Sequence, residues 1–313
     1  MAGSKSVVLA ALIANGAIAV LKFGAFLLTG SPSMLSETYH SISDTGNQVF
    51  LLVGIRYSGK SPNREHPFGY GKAQFFYSFL VSVLLFGIAG WESLKHGYDA
   101  IIHGHSAAPG MVTFAGYTFD AVYVSVAVLL GAIAFESYAF VKAHAELRRQ
   151  MNEYGWSNLV EAFRTTSDVT TLTAFTEDAI ALGGAVVALV GIVLTRVTGN
   201  HIYDAVSAAV IGVLLMFFAL ALAWENKRLL LGESVPPGRE AEFESIIADH
   251  PGVEHVDRFR TMFVGPTDIL VTADVSFAAD LDTEGIDDDI ARIDEKLRAH
   301  DERVSFVYIE PEL

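Results

Sequence analysis

The feature that most constrains this chain is a series of six apolar segments, each near the ~20 residues a helix needs to cross a bilayer's hydrocarbon core. They run at about 7–29, 33–56, 73–97, 119–142, 170–195 and 202–225. Stretches such as VSVLLFGIAG and AVVALVGIVL carry Gly and Ala among bulky apolar residues, which suits close helix packing in lipid. The expected fold class is therefore an α-helical membrane protein with six transmembrane helices. The N-terminus passes from MAGSKS into the first apolar run without a small-residue cleavage signal, so that run reads as a span and not as a signal peptide.

Lysine and arginine placement orients the spans. The 56–72 connection holds Arg56, Lys60, Arg64 and Lys72; the 142–164 connection holds Lys142, Arg148, Arg149 and Arg164; Lys227 and Arg228 follow the sixth span. Segments 30–36 and 98–118 hold none, and 196–201 holds only Arg196. Both termini are expected on the positive, cytoplasmic side of an inner (cell) membrane. Lys22, inside the first span, is expected to snorkel to an interface and is given no chemistry.

A Pro/Gly break, GESVPPGRE, separates residues 1–232 from an acidic tail at 233–313. The tail carries 21 acidic against 7 basic residues, nearly the whole of the chain's net charge of −15. That charge repels phosphates and argues against nucleic acid. Its pattern predicts a helix over 239–250, strands VEHVDRFRTMFVG and DILVTADVSF around a GPT turn, a helix over 284–300 and a strand RVSFVYIE. The order αββαβ suits a small α+β ferredoxin-like domain with a marginal core, stabilised by pairing with a second copy.

The costly residues lie in the second apolar run, where SETYHSISDTGNQ places Glu37, His40, Asp44 and Asn47. A charge at bilayer depth costs roughly 2.5–3.5 kcal/mol on insertion scales, so such groups carry a task. His40 and Asp44 are four residues apart and stack on one helical face, with Glu37 close to the same face. An imidazole and a carboxylate so placed can grip one divalent cation. A tetrahedral ion needs about four ligands, so another span must contribute. The acids taken for that role are Glu177 and Asp178 in the fifth run, adjacent and therefore about 100° apart, so one of them is expected to face His40. Pairing with a polar neighbour such as Asn15 is the plain alternative for either. Asp204 is read as a helix cap. The chain has no Cys, which removes thiolate sites, dithiols and disulfides. It also lacks H-E-x-x-H, P-loop and Rossmann glycine patterns, and no enzyme is expected.

At these residues the chain resembles the cation diffusion facilitator family of zinc and manganese transporters. The likeness rests on Thr29-Gly30-Ser31, then His40 and Asp44, then His66-Pro67-Phe68-Gly69-Tyr70-Gly71-Lys72-Ala73, in that order. The Glu177-Asp178 pair is similar to the branch containing the animal mitochondrial zinc exporter. The resemblance implies a homodimeric metal/proton antiporter holding Zn2+, or Mn2+, as cargo between spans two and five, with no cofactor. It carries over His40 and Asp44 directly and places Asp178 and Leu182 at the span-five positions. The implied ligand set is His40, Asp44 and Asp178, completed by Glu37, Glu177 or water. The family's metal-sensing tail positions fall on Asp257, Ala273, Tyr308 and Glu310, a poor cluster for zinc. Tyr70 stands where a second loop His is common, and the acidic partner of Lys72 falls near Gly232 and Glu233. The shortened span-five set also implies an alternative: a non-transporting membrane partner that heterodimerises with an active transporter.

Overall fold

Each apolar run folds as a helix in the computed structural model, which describes residues 2–104, 111–114, 117–154, 157–158 and 169–312. Helix α1 (Ala2–Thr29) stops where Gly30 takes a φ of 63°, a left-handed conformation that glycine adopts without strain. Pro32, whose missing N–H costs nothing at a first helical position, opens α2 (Pro32–Ser58). A continuous span α3 (Ala73–His103) follows, with a π-helical turn at Leu85–Gly90. Helices α4 (Val122–Tyr154), α5 (Val169–Thr198) and α6 (Ile202–Leu231) complete the set.

Among the described residues, five helices are long and apolar enough to cross a membrane: α1, α3, α4, α5 and α6. Helix α2 has the length, at 27 residues, but its polar middle keeps it out of that group. Two details differ from expectation. The 98–118 connection contains a hairpin, β1 (Met111–Phe114) against β2 (Tyr117–Asp120), paired antiparallel. Helix α4 continues well past 142, because KAHAELRRQMNEY is rich in strong helix formers and adds an Arg149–Glu146 pair at 2.6 Å. Arg164 lies outside the described residues.

Small residues set the helix contacts. A Cβ at Gly97 of α3 would stand 2.5 Å from the Ala209 backbone nitrogen of α6, and one at Gly212 would stand 2.5 Å from that of Leu94. The two backbones therefore touch directly, as small-residue interfaces in lipid allow. Met34, Leu129, Ile211 and Leu215 fill the core around this contact.

The chain divides into two compact units, one of residues 1–52 with 78–224 and one of residues 53–77 with 225–313. In the second, α7 (Pro237–Ala248), β3 (Val253–Gly265), β4 (Asp268–Phe277), α8 (Thr283–His300) and β5 (Val304–Glu312) follow one another along the chain. The sheet order is β3-β4-β5; β3 and β4 pair antiparallel across the 266–267 turn, and β4 and β5 run parallel, joined by α8. On β4, Ile269, Val271, Ala273, Val275 and Phe277 alternate into the core against Phe243, Ile247, Ile293 and Leu297. Ala273 is thus a packing residue, while Asp257 accepts a hydrogen bond from Ser276 at 2.7 Å.

The segment 59–72 is anchored by two glycines. Gly69 takes a φ of 81°, and a Cβ at Gly71 would stand 2.6 Å from the Val264 carbonyl oxygen and 2.7 Å from the Gly265 Cα. The HPFGYGKA stretch needs those glycines because its backbone lies directly on the end of β3.

Candidate metal centre

Helix α2 tolerates its polar composition by satisfying much of it internally. Thr38 Oγ1 donates to the Met34 carbonyl at 2.8 Å, Ser36 to Pro32 at 3.2 Å, and Thr45 to Ser41 at 2.8 Å. Such i−4 bonds give these three hydroxyls a partner within the helix. The ionisable residues have no such local outlet, and they are buried: Glu37, His40 and Asp44 are 0%, 2% and 9% exposed.

The helical spacing brings His40 Nε2 to 3.3 Å from Asp44 Oδ2. That is ion-pair range without hydrogen-bond alignment, for neither ring nitrogen of His40 has a hydrogen-bond partner among the described residues. A buried imidazole with both nitrogens free is costly unless something binds it, since buried polar atoms are nearly always paired.

Lys22 does not snorkel. It is 1% exposed and its Nζ lies 2.8 Å from Glu37 Oε2, so α1 supplies a buried ammonium to α2. The expectation failed because it considered only the reach of the side chain, whereas a carboxylate at equal depth on the next helix holds the ammonium inside. Glu37 thereby has one oxygen committed to Lys22. Its Oε1 has no hydrogen-bond partner among the described residues, and a Cβ at Gly184 of α5 would stand 2.6 Å from it.

Glu177 accepts from Asn47 Nδ2 at 3.5 Å, so its polar partner is Asn47 and not Asn15. Both Glu177 and Asp178 lie within electrostatic range of Asp44, and neither hydrogen-bonds His40. A fifth acid was missed. Glu136 on α4 is 8% exposed and lies within electrostatic range of Asp44, Asp178, Glu37 and Lys22. The signal was available: AIAFESYAF sets one carboxylate in an otherwise apolar run. Asp204, read as a cap for its own helix, instead accepts from Ser33, both from the hydroxyl and from the backbone N–H at 3.3 Å. It caps the start of α2 from α6.

The arrangement therefore gathers one imidazole, one ammonium and five carboxylates from α1, α2, α4 and α5. Among the described residues no three His, Asp or Glu side chains converge closely enough to hold one ion between them. The closest potential ligands are His40 and Asp44, and the acids of α4 and α5 lie within electrostatic range of Asp44.

Comparison with known proteins places these residues in a family. Residues 8–231 match the model described as the cation efflux transmembrane domain. The chain is 28% identical over 275 residues to the human "Proton-coupled zinc antiporter SLC30A9, mitochondrial", covering 88% of this chain and 46% of that protein. It is 27% identical over 274 residues to "Metal tolerance protein C4" of Arabidopsis thaliana, covering 88% and 57%. It is 26% identical over 264 residues to "Cation-efflux pump FieF" of Yersinia enterocolitica, covering 84% and 78%. The chain spans about half the length of the mitochondrial antiporters it matches. With the family match running from the first helix to the last residue of the sixth, the chain belongs to the cation efflux family, also called the cation diffusion facilitators.

Proposed function

We propose that this chain is a divalent-cation efflux transporter that carries Zn2+ and exchanges it for protons. The observation that carries this reading is His40: an imidazole 2% exposed, both nitrogens unpartnered among the described residues, and 3.3 Å from Asp44, which has further carboxylates within electrostatic range. A nitrogen with carboxylates suits Zn2+, whereas Mn2+ favours an all-oxygen set. Two relatives are named as a proton-coupled zinc antiporter and a cation-efflux pump, which supports the same class of cargo.

In this reading α2 is the sixth span, both termini are cytoplasmic, and the tail is a ferredoxin-like layer that pairs two copies. The ion enters between α2 and α5, where His40, Asp44 and Asp178 are its ligands and Glu177 or water completes the set. Binding requires neutral imidazole and ionised carboxylates, so protons leave as metal arrives. Rocking of the bundle then exposes the site to the other side, where protons compete the ion off. In this reading the carboxylates of α4 and α5 close on the ion as it binds.

The test is Zn2+ uptake into vesicles carrying the purified chain, a zinc dye and a proton gradient. Parent protein should transport, and His40→Ala with Asp44→Ala should abolish it; equal transport by that double variant would remove the site. The second reading, a non-transporting partner, is favoured by the shortened span-five ligand set, in which Leu182 stands where the family has a second ligand. Zinc bound per purified chain separates the two, because a near-zero ratio belongs to the partner.

A further inference from the structure

The second unit contains a cavity of about 610 Å³ that the transport reading leaves unused. Its walls include the rings of Tyr57, Phe68, Tyr70, Phe76 and Tyr77, and Lys72 lines it. Ala73, Phe76 and Tyr77 stand at the start of α3, and Leu230, also in the wall, stands at the end of α6. Two helices long and apolar enough to cross a membrane have their ends in its wall, and the ends of such helices lie near lipid headgroups. Tyr rings are at home at that depth.

Its charges are the informative part. The Nζ of Lys72 has Met262 Sδ at 3.9 Å as its partner, a weak acceptor, and no carboxylate pairs with it among the described residues. Glu233, near the position expected to answer Lys72, is paired with Arg228 instead. A second ammonium, Lys60, rests 3.6 Å above the Tyr57 ring and 5.6 Å from that of Tyr70, both part of the wall. His66 stacks on Tyr70 with ring centroids 4.2 Å apart. Glu65 is the one acid in the lining.

We propose that this cavity binds the headgroup of an anionic phospholipid. Its phosphate lies between Lys72 and Lys60, and its glycerol and upper acyl carbons lie against Phe76 and Leu230. The volume fits a small-molecule site of the usual size. Basic pockets between transmembrane helices are recurrent sites for anionic headgroups. The apolar wall sharpens the choice of occupant: Phe76 and Leu230 offer an acyl chain a contact that a dissolved anion cannot use.

The test is native mass spectrometry of the full chain, released from neutral detergent after mixing with phosphatidylglycerol or phosphatidylcholine. The parent should retain phosphatidylglycerol in preference. Lys60→Gln with Lys72→Gln should weaken retention about 30-fold, from about 1 kcal/mol per lysine near an anionic surface. Lys60→Arg with Lys72→Arg should keep it, and comparable melting of both double variants separates lost binding from lost folding. Equal retention of phosphatidylcholine, or unchanged retention by the glutamine variant, overturns the proposal. Displacement of the lipid by millimolar inorganic phosphate also overturns it, because the site would then be one for a free anion.

Discussion

Replacing Lys22 by methionine tests the least expected feature of the centre. The two partners are 1% and 0% exposed and 2.8 Å apart. At an effective dielectric of about 20, the Coulomb attraction at 2.8 Å is about 6 kcal/mol, an upper scale for the pair. The desolvation of both ions offsets much of that, so the pair adds little net stability over an apolar replacement. Removing one ion is another matter, because it strands the other without a counter-charge and costs about 3–5 kcal/mol. Lys22→Met should therefore lower the melting temperature of the purified protein by roughly 6–20 °C, at about 2–4 °C per kcal/mol for a chain of this size. Glu37→Gln should act in the same direction. The double variant Lys22→Met/Glu37→Gln should melt near the parent, since it removes both charges and keeps the volumes. Differential scanning fluorimetry in detergent, without added metal, reads all three. A single variant that melts within about a degree of the parent would refute the argument, as would a double variant as unstable as the sum of its singles. Either result would mean that the ammonium and the carboxylate are not a dry, isolated pair.

The same physics predicts three further outcomes. Gly71→Ala drives a Cβ to 2.6 Å from the Val264 carbonyl oxygen, a backbone atom that cannot swing aside. It should cost about 1–3 kcal/mol and loosen the 59–72 segment, visible as faster hydrogen exchange there. Glu136→Gln removes one negative charge near Asp44 without changing shape; it should weaken Zn2+ binding roughly tenfold by calorimetry, about 1.4 kcal/mol, and no change would place Glu136 outside the centre. In the tail, a hydrogen bond from His300 holds the Glu242 carboxyl below the usual range, partial burial opposes this, and Arg239 assists. A depressed folded-state value stabilises above the unfolded carboxylate range near pH ~4.3 and loses that contribution as pH falls through the folded value. Both groups are more than a third exposed, so the effect is below about 1 kcal/mol. Parent and Glu242→Gln should differ slightly in α7 and α8 exchange at neutral pH and converge in acid.

How much of this was legible in the residues depended on whether the relevant spacing runs along one element or across two. Periodicity placed the strand 268–277, because alternation on a half-buried strand is a local pattern, and the turn at 266–267 marked off its partner at 253–265. His40 and Asp44 were equally legible, since four residues on one helix fix a shared face. The partners from other helices were not, and Glu136 was overlooked because nothing along the chain links it to Asp44. Lys22 and Glu37 are the instructive case. Lys22 precedes the left-handed turn at Gly30 by eight residues and Glu37 follows it by seven. In two antiparallel helices joined by so short a turn, equal distances from the turn mean equal depth in the bilayer. An ammonium and a carboxylate at equal depth on neighbouring helices pair more cheaply than either reaches water. The turn was read as a family motif, and its geometry, which sets the two charges side by side, went unused. That pairing sets an ammonium from α1 against Glu37, one turn before His40 on α2.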